Sequence, residues 1–108
     1  MARESLQGTL DLLVLKILSR RPKLHGYAIM SAIKDSSHDV LRADEGSLYP
    51  ALHRMEEAGW IRARWETISN GRRRRNYELT TAGKKRLAAE QSRWEIITAA
   101  VNRVLRTV

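Results

Sequence analysis

Residues 44–80 read DEGSLYPALHRMEEAGWIRARWETISNGRRRRNYELT, and the spacing of their apolar residues changes at Gly59. Before this glycine, apolar residues recur at helical intervals, which predicts a helix. The helix is expected to begin between Asp44 and Ser47, either of which is able to cap its first turn. Gly59 marks its C-terminal end. Pro50 fits this helix if it lies in the first turn, where the missing N–H of proline costs nothing.

A β-hairpin is predicted directly after this helix. Apolar and polar residues alternate from Trp60 to Ile68, which is the pattern of a half-buried strand. Residues 69–71 are Ser-Asn-Gly, and Asn-Gly is the strongest short signal of a hairpin turn. A returning strand is predicted at Tyr77–Thr80. The loop between the two strands is expected to carry four consecutive arginines, Arg72, Arg73, Arg74 and Arg75.

Three further helices and one short strand are predicted from the rest of the chain. A helix from about Ser5 to Arg20 is apolar around almost its whole circumference, so it must be covered on more than one side, by its own domain and by a partner subunit. A second helix is predicted at His25–Ser36, and Val40–Ala43 is predicted as a very short strand. The last helix is expected to run from about Ala82 to beyond Val104.

The last helix carries an apolar stripe with heptad spacing, which is typical of a helix that packs against another helix. Val108 continues the stripe and Glu90 interrupts it. Together with the apolar first helix, this stripe predicts that two copies of the chain associate. The residues expected at their interface are Leu6, Leu10, Leu13, Leu87, Trp94, Ile97, Val101 and Val104.

Composition limits the class of protein. The 108 residues suffice for one domain, and 20 Lys and Arg against 12 Asp and Glu give a formal net charge of +8. Such a charge implies a polyanionic partner, either nucleic acid or an anionic membrane surface. The absence of cysteine excludes disulfides, thiolate zinc sites and cysteine nucleophiles, and fits the cytoplasm. The sequence shows neither a signal peptide nor an apolar run of the roughly 20 residues that span a membrane.

The predicted order of elements is helix, helix, helix, strand, basic turn, strand, helix, which matches the winged helix-turn-helix plan. The fold class is therefore mainly α with a small β-hairpin. Residues 1–80 form the predicted DNA-binding region, and residues 81–108 form a long C-terminal dimerisation helix. In this plan a helix enters the major groove, where base edges carry a full donor and acceptor code. The basic turn reaches phosphates or the minor groove beside it.

Several segments of the chain resemble the consensus of the PadR family of transcriptional regulators. They are Gln7–Leu10, His25–Ile29, Gly46–Glu56, Ala58–Ile61, the basic wing and Tyr77–Gly83. The resemblance extends over essentially the whole chain in order. It implies a homodimeric repressor that joins through the last helix and the first helix of its partner. It also implies release of DNA when a small molecule, often aromatic, binds near the dimer interface. Two copies joined in this way are expected to bind an inverted-repeat operator.

The resemblance and the basic wing together nominate residues for contact with DNA. The expected residues are Ser47, Tyr49, Pro50, His53, Arg54, Arg72, Arg73, Arg74 and Arg75. In related proteins a Trp of the last helix stacks on flat ligands, which makes Trp94 the candidate for effector binding. Each assignment has an alternative. The helix residues are open to capping, surface or core roles, Trp94 to a role in the interface core alone, and the arginines to that of a solvated turn.

Three other classes of function are weighed against this one. An enzyme is not expected, because the sequence has no glycine-rich phosphate loop, no Gly-x-Ser-x-Gly and no histidine–carboxylate constellation. No cofactor and no metal site are expected either. Binding to a membrane surface and a role as a protein-interaction adaptor remain open. Arginines clustered at a hairpin tip favour double-stranded DNA over both.

Overall fold

The computed structural model describes the backbone of residues 2–107 and the side chains of residues 9–107. Four helices and a three-stranded antiparallel sheet form the fold, as predicted for a mainly helical winged domain. The elements are α1 (Ala2–Arg20), β1 (Leu24–His25), α2 (Gly26–Ser36), α3 (Glu45–Glu57), β2 (Ile61–Thr67), a 3-10 turn (Ser69–Gly71), β3 (Arg73–Leu79) and α4 (Thr81–Arg106). The side chain of Leu6, predicted at an interface, lies outside the described side chains, and so does Val108.

The core is built around α1, which packs against α2, α3 and α4. Val14 and Leu15 on α1 are completely buried, because they lie between these helices. The other elements contribute mainly aliphatic side chains to the same cluster. Its remaining members are Ile17, Leu18, Ile29, Ala32, Ile33, Leu48, Ala51, Leu52, Met55, Ile61, Tyr77 and Leu87. One continuous core thus holds the third helix and the hairpin in fixed relative positions.

Both ends of α3 follow the sequence signals. Asp44 caps the helix, since its Oδ1 accepts a hydrogen bond of 2.8 Å from the amide of Ser47. At the other end Gly59 has a φ of +81°, and the amide of Trp60 donates to the carbonyl of Met55 at 3.0 Å. This is the Schellman arrangement, in which a left-handed glycine satisfies the last carbonyls of the helix.

The expected place of Pro50 in the first turn of α3 is wrong. The helix begins at Glu45, so Pro50 is its sixth residue and lies in the second turn. A proline at this point cannot donate to the carbonyl of Gly46, four residues earlier. Both residues are exposed, so that solvent can reach this carbonyl. The exposed face of α3 therefore tolerates a proline that a buried face would not.

The sheet has the order β1-β3-β2, and its first strand differs from the prediction. Residues 40–43 form no strand, whereas Leu24 pairs with Tyr77 and His25 with Asn76. The free edge of β3 lies beside the start of α2, and the two residues preceding that helix are the ones that reach it. Strand pairing over two residues depends on this proximity and leaves no periodic signal in the sequence.

The arginine run lies in a strand and not in a loop, which corrects the prediction for the hairpin. Ile68 and Arg72 close the turn through a hydrogen bond of 2.7 Å between the amide of Ile68 and the carbonyl of Arg72. Asn70 and Gly71 adopt positive φ angles of 67° and 70°, as expected for Asn-Gly. β3 then begins at Arg73, so that only the first arginine belongs to the turn. Successive arginines in the strand point to opposite faces of the hairpin.

Among the described residues, the long helix α4 has its closest contacts with the core near its beginning. Thr80 caps it by accepting a hydrogen bond of 3.0 Å from the amide of Gly83 and donating one of 2.6 Å to the carbonyl of Gly59. Leu87 is its last buried side chain, and Gln91 accepts a hydrogen bond of 3.3 Å from Nζ of Lys16. Residues 101–107 are all exposed. The described residues extend over 61 × 29 × 24 Å as a result.

Candidate DNA-binding surface

The outward face of α3 is the first part of the candidate surface. Leu48, Leu52 and Met55 anchor the helix in the core, so the opposite side faces solvent. Of the predicted contact residues, Tyr49, Pro50 and His53 lie on this exposed side. A helix that buries one face and exposes polar, aromatic and imidazole groups on the other has the form of a recognition helix.

Two residues of this face are held by neighbours. The Tyr49 ring lies against Gly26, the first residue of α2, where a Cβ would be 2.7 Å from the ring carbon Cζ. The glycine therefore provides the space in which Tyr49 lies across the junction of α2 and α3. His53 forms an exposed contact of 2.7 Å between its Nε2 and Oε1 of Glu57, one turn later. This second contact is open to water and easily exchanged for another partner.

Arg54, another predicted contact residue, lies at the edge of α3 that faces α1. Its Nη2 donates a hydrogen bond of 2.5 Å to Oδ1 of Asp11. Burial raises the pKa of the Asp11 carboxyl above its ordinary value, and Arg54 offsets this effect only in part. Ser47 occupies the edge beside the loop before the helix, and its amide is capped. These two residues therefore flank the exposed face and do not form its centre.

The four arginines of the hairpin form two groups. Arg74 pairs with Glu66 at 3.2 Å, and Nη2 of Arg75 donates to both carboxylate oxygens of Glu56 at 2.9 and 2.8 Å. Arg72 and Arg73 are exposed, and no carboxylate within residues 9–107 pairs with either. Of the four arginines, the two without a carboxylate partner among the described residues thus lie at the tip of the wing.

The Arg75–Glu56 contact orients the wing with respect to α3. Glu56 belongs to α3 and Arg75 to β3, so this ion pair joins the two parts of the candidate surface directly. Trp65 lies opposite Arg75 in the strand register, and therefore on the same face of the hairpin as the ion pair. This face is the one turned towards α3.

The cations on the opposite face of the hairpin are all paired with carboxylates of the same face. Nε of Arg62 and Nε of Arg64 donate to Oε1 of Glu78 at 2.8 and 3.1 Å. The hydrogen bond from Arg62 lowers the pKa of Glu78 below its ordinary value, and Arg64 adds to this effect. On the same face, Glu66 also lies 3.8 Å from Nζ of Lys23. Four cations there share two carboxylates, in contrast to Arg72 and Arg73 at the tip, which pair with no carboxylate of the described residues.

Trp65 is the residue of this surface that sequence reasoning missed. The indole is 58% exposed, and the guanidinium carbon of Arg73 lies 4.9 Å from the ring centroid. The alternation of β2 places Trp65 on the same side as the buried Ile61, so it reads as a half-buried strand residue. An aromatic residue so close to the hairpin tip, with arginines on the facing strand, was the signal available in the sequence.

Exposed apolar side chains mark a second surface, along α4. Trp94, Ile97 and Val101 are 46%, 42% and 50% exposed, and Val104 is more exposed still. Leu87, predicted at an interface between copies, is instead buried in the core of its own chain, because the first turns of α4 pack on that core. On α1, Leu10 and Leu13 are half-buried and pack against the edge of the same core.

Within the described residues, no helix is long and apolar enough to cross a membrane. Residues 9–107 also contain no group of three histidine or carboxylate side chains placed to hold a metal ion. The features able to bind a partner are therefore the exposed cations, the exposed face of α3 and the apolar stripe of α4.

A helix-turn-helix followed by a basic hairpin defines the winged-helix class of DNA-binding proteins. More specifically, the chain belongs to the PadR-like family of transcriptional regulators, whose sequence model matches residues 14–89. It is accordingly a regulator of transcription, of a family that is not one of enzymes.

Solved structures of transcriptional regulators are similar over nearly the whole chain. One from Clostridium thermocellum has a TM-score of 0.84 and 25% identity, with 93% of this chain and 96% of that chain covered. A PadR family regulator from Eggerthella lenta has a TM-score of 0.82 and 28% identity, with 100% and 91% covered. A PadR family regulator from Clostridium difficile has a TM-score of 0.73 and 32% identity, with 89% and 97% covered. An uncharacterized protein of Lysinibacillus sphaericus is 27% identical over 89 residues, 82% of this chain and 81% of its own length.

Proposed function

We propose that this protein binds double-stranded DNA in a sequence-specific manner, with α3 in the major groove and the wing on the adjacent backbone. The observation that carries the proposal is that Arg72 and Arg73, which no carboxylate within residues 9–107 pairs with, lie at the tip of a hairpin whose α3-facing side is joined to that helix by an ion pair. Tyr49, Pro50 and His53 face the base edges in this arrangement. Residues at the edges of α3 are then placed beside phosphates, which hold the helix in register.

The role of the wing arginines follows from which of them are already paired. Arg72 and Arg73 supply the salt-sensitive contacts, because no internal carboxylate competes for them among the described residues. Arg74 and Arg75 have partners that a phosphate would need to displace. We therefore assign to this second pair the task of shaping the wing, in refinement of the expectation that all four arginines contact DNA.

The test compares two double variants that lose the same charge. Fluorescence anisotropy would measure binding to a duplex from the region upstream of the protein's own gene, and to a scrambled duplex, over a salt series. We expect the parent protein to bind the native duplex at least about 10³-fold more tightly than the scrambled duplex. Arg72→Ala/Arg73→Ala should reduce the slope of log affinity against log salt by about 1.8 for each bound chain, or about 3.6 for a dimer that contacts the duplex through both wings.

The matched control is Arg62→Ala/Arg64→Ala, which removes two cations that are already hydrogen-bonded to Glu78 on the opposite face. This control should retain most of the salt slope of the parent, since its arginines do not reach the DNA. Equal slopes in the two variants would show that only total charge matters and would refute the assignment. Equally weak binding of native and scrambled duplexes would refute sequence-specific recognition itself.

We propose further that two chains associate through α4 and through α1 of the partner. The exposed stripe Trp94, Ile97, Val101 and Val104 supports this, because solvent-exposed apolar residues at heptad spacing are stabilised by a facing helix. Association would place two copies of α3 about 34 Å apart, one turn of the duplex, and so match an inverted repeat. A duplex with one half-site deleted should then bind much more weakly than the intact operator.

We also propose that the protein acts in the cytoplasm as a repressor, and that binding of a small molecule relieves the repression. Trp94 offers an exposed indole for a flat ligand. A recess of about 450 Å³ beside Leu10 and Leu13, below the first turns of α3, is within the size range of ligand pockets. The test is release of labelled operator by a panel of planar aromatic compounds. Trp94→Leu should abolish that release while retaining operator binding.

A further inference from the structure

The wing carries an exposed indole between two guanidinium groups. Trp65 and Arg75 are directly paired across the hairpin, and Arg73 is the diagonal neighbour, paired with Thr67. All four therefore lie on the face turned towards α3. The guanidinium carbons of Arg73 and Arg75 lie 4.9 and 5.7 Å from the centroid of the Trp65 ring, within the range of cation–π contact.

The two arginines of this stack differ in what else they contact. Arg75 is fixed, since its Nη2 donates to both oxygens of Glu56 on α3 and its guanidinium carbon is 5.9 Å from the Tyr77 ring. Trp65 packs beside this fixed group and so takes a defined position relative to α3. Arg73 has no carboxylate partner within residues 9–107, and Trp65 is the only ring it stacks on there.

Stacking and ion pairing prepare an arginine for a phosphate in different ways. A carboxylate would hold Arg73 in place but would also neutralise it and occupy its donors. An indole restricts the side chain in advance, so that less rotamer entropy is lost when a phosphate immobilises it. The charge and the N–H donors at the edge of the guanidinium remain available to an anion.

We propose that Trp65 is a positioning residue for DNA binding, which holds Arg73 extended and charged for a phosphate. The Glu56–Arg75 ion pair sets the distance between Arg73 and α3, so that the wing and α3 contact the duplex in one register. The inference rests on the proposed DNA-binding function and adds a residue that acts through Arg73 and not on the DNA itself.

A double-mutant cycle of Trp65→Leu and Arg73→Ala tests this role, with operator affinity measured by anisotropy over a salt series. Trp65→Leu should weaken binding about 2–5-fold for each wing at moderate salt, the value of one exposed cation–π contact, or about 5–25-fold for a dimer bound through both wings. In the Arg73→Ala background the same change should weaken binding less than 2-fold. Trp65→Phe, which keeps an aromatic face, should restore most of the affinity. Urea unfolding of each variant shows whether the wing remains folded.

The outcomes separate this inference from the proposed function. If Trp65→Leu weakens binding equally with and without Arg73, Trp65 acts independently of Arg73 and the positioning role is overturned. If the parent binds DNA and Trp65→Leu has no effect, the inference fails while the proposed function stands. If the parent shows no salt-dependent binding to any duplex, both are overturned. Loss of binding that appears only with Arg73 present, together with rescue by Phe, supports the inference.

Discussion

Substitution of Gly83 by alanine tests how closely α4 is joined to the sheet. Gly83 is the third residue of α4 and is buried. A Cβ at this position would lie 2.6 Å from Cδ1 of Leu79 and 3.0 Å from the carbonyl carbon of Trp60. Because carbon atoms in contact prefer about 3.5–4.0 Å, the start of the helix must move away by roughly 1 Å.

The expected loss of stability combines three effects. Overpacking of this kind costs about 1–3 kcal/mol. The same movement strains the Thr80 cap, whose hydrogen bonds to Gly59 and Gly83 measure 2.6 and 3.0 Å, and loss of a cap costs about 1 kcal/mol. The higher helix propensity of alanine returns about 1 kcal/mol. The net expectation for Gly83→Ala is a loss of about 2 kcal/mol, or a fall of about 8–15 °C in Tm.

The matched control is Gly46→Ala, the same change in the first turn of α3. A Cβ there meets only Oδ1 of Asp44, at an ordinary 3.5 Å, so the gain in helix propensity of up to about 1 kcal/mol should dominate. Urea unfolding followed by circular dichroism measures both variants, at one protein concentration because association shifts the midpoint. A Gly83→Ala protein as stable as the parent would refute the argument, and so would a loss of equal size in both variants.

Three further expectations concern the core, the dimer and the face of α3. Burial raises the pKa of Asp11 above its ordinary 3.8. The free energy of unfolding of the parent, measured relative to that of Asp11→Asn, should therefore rise as pH falls from 7 towards 3.8. Urea unfolding in which the difference between the two proteins does not change with pH would contradict this. Val101→Glu should halve the mass seen by sedimentation, and an unchanged mass would count against the α4 interface. Gly26→Ala should lower the free energy of unfolding by about 1–3 kcal/mol through the clash of its Cβ with Tyr49. Adding Tyr49→Ala to this variant should restore stability in a urea titration, and a failure to do so would place the clash elsewhere.

Local signals in the sequence were sufficient for most of the fold. The change from helical to alternating spacing at Gly59 located α3 and β2 to within a few residues, since periodicity reports directly which face is buried. The cap at Asp44 and the turn at Asn70 and Gly71 depend only on neighbouring residues, and both were predicted for that reason. The winged-helix class followed from the order of these elements.

The details of the candidate surface depend on contacts between distant residues, which spacing does not report. Arg75 lies 19 residues from Glu56, and Arg54 lies 43 residues from Asp11. No local rule shows that these arginines have internal partners, whereas Arg72 has no carboxylate partner within residues 9–107. The extent of β3 was missed for the same reason, because a run of like charges favours a loop unless carboxylates on other elements neutralise some of its side chains.

The attachment of α4 near its start gives the rest of the helix the mechanics of a lever. From Gln91, which contacts Lys16, to Arg106 the helix rises about 22 Å. A rotation of about 10° at the fulcrum therefore displaces the far end by about 4 Å. A small rotation of the winged-helix domain therefore becomes a large displacement at the C-terminal end of α4. Conversely, a modest force at that end exerts a large torque on the first turns of α4.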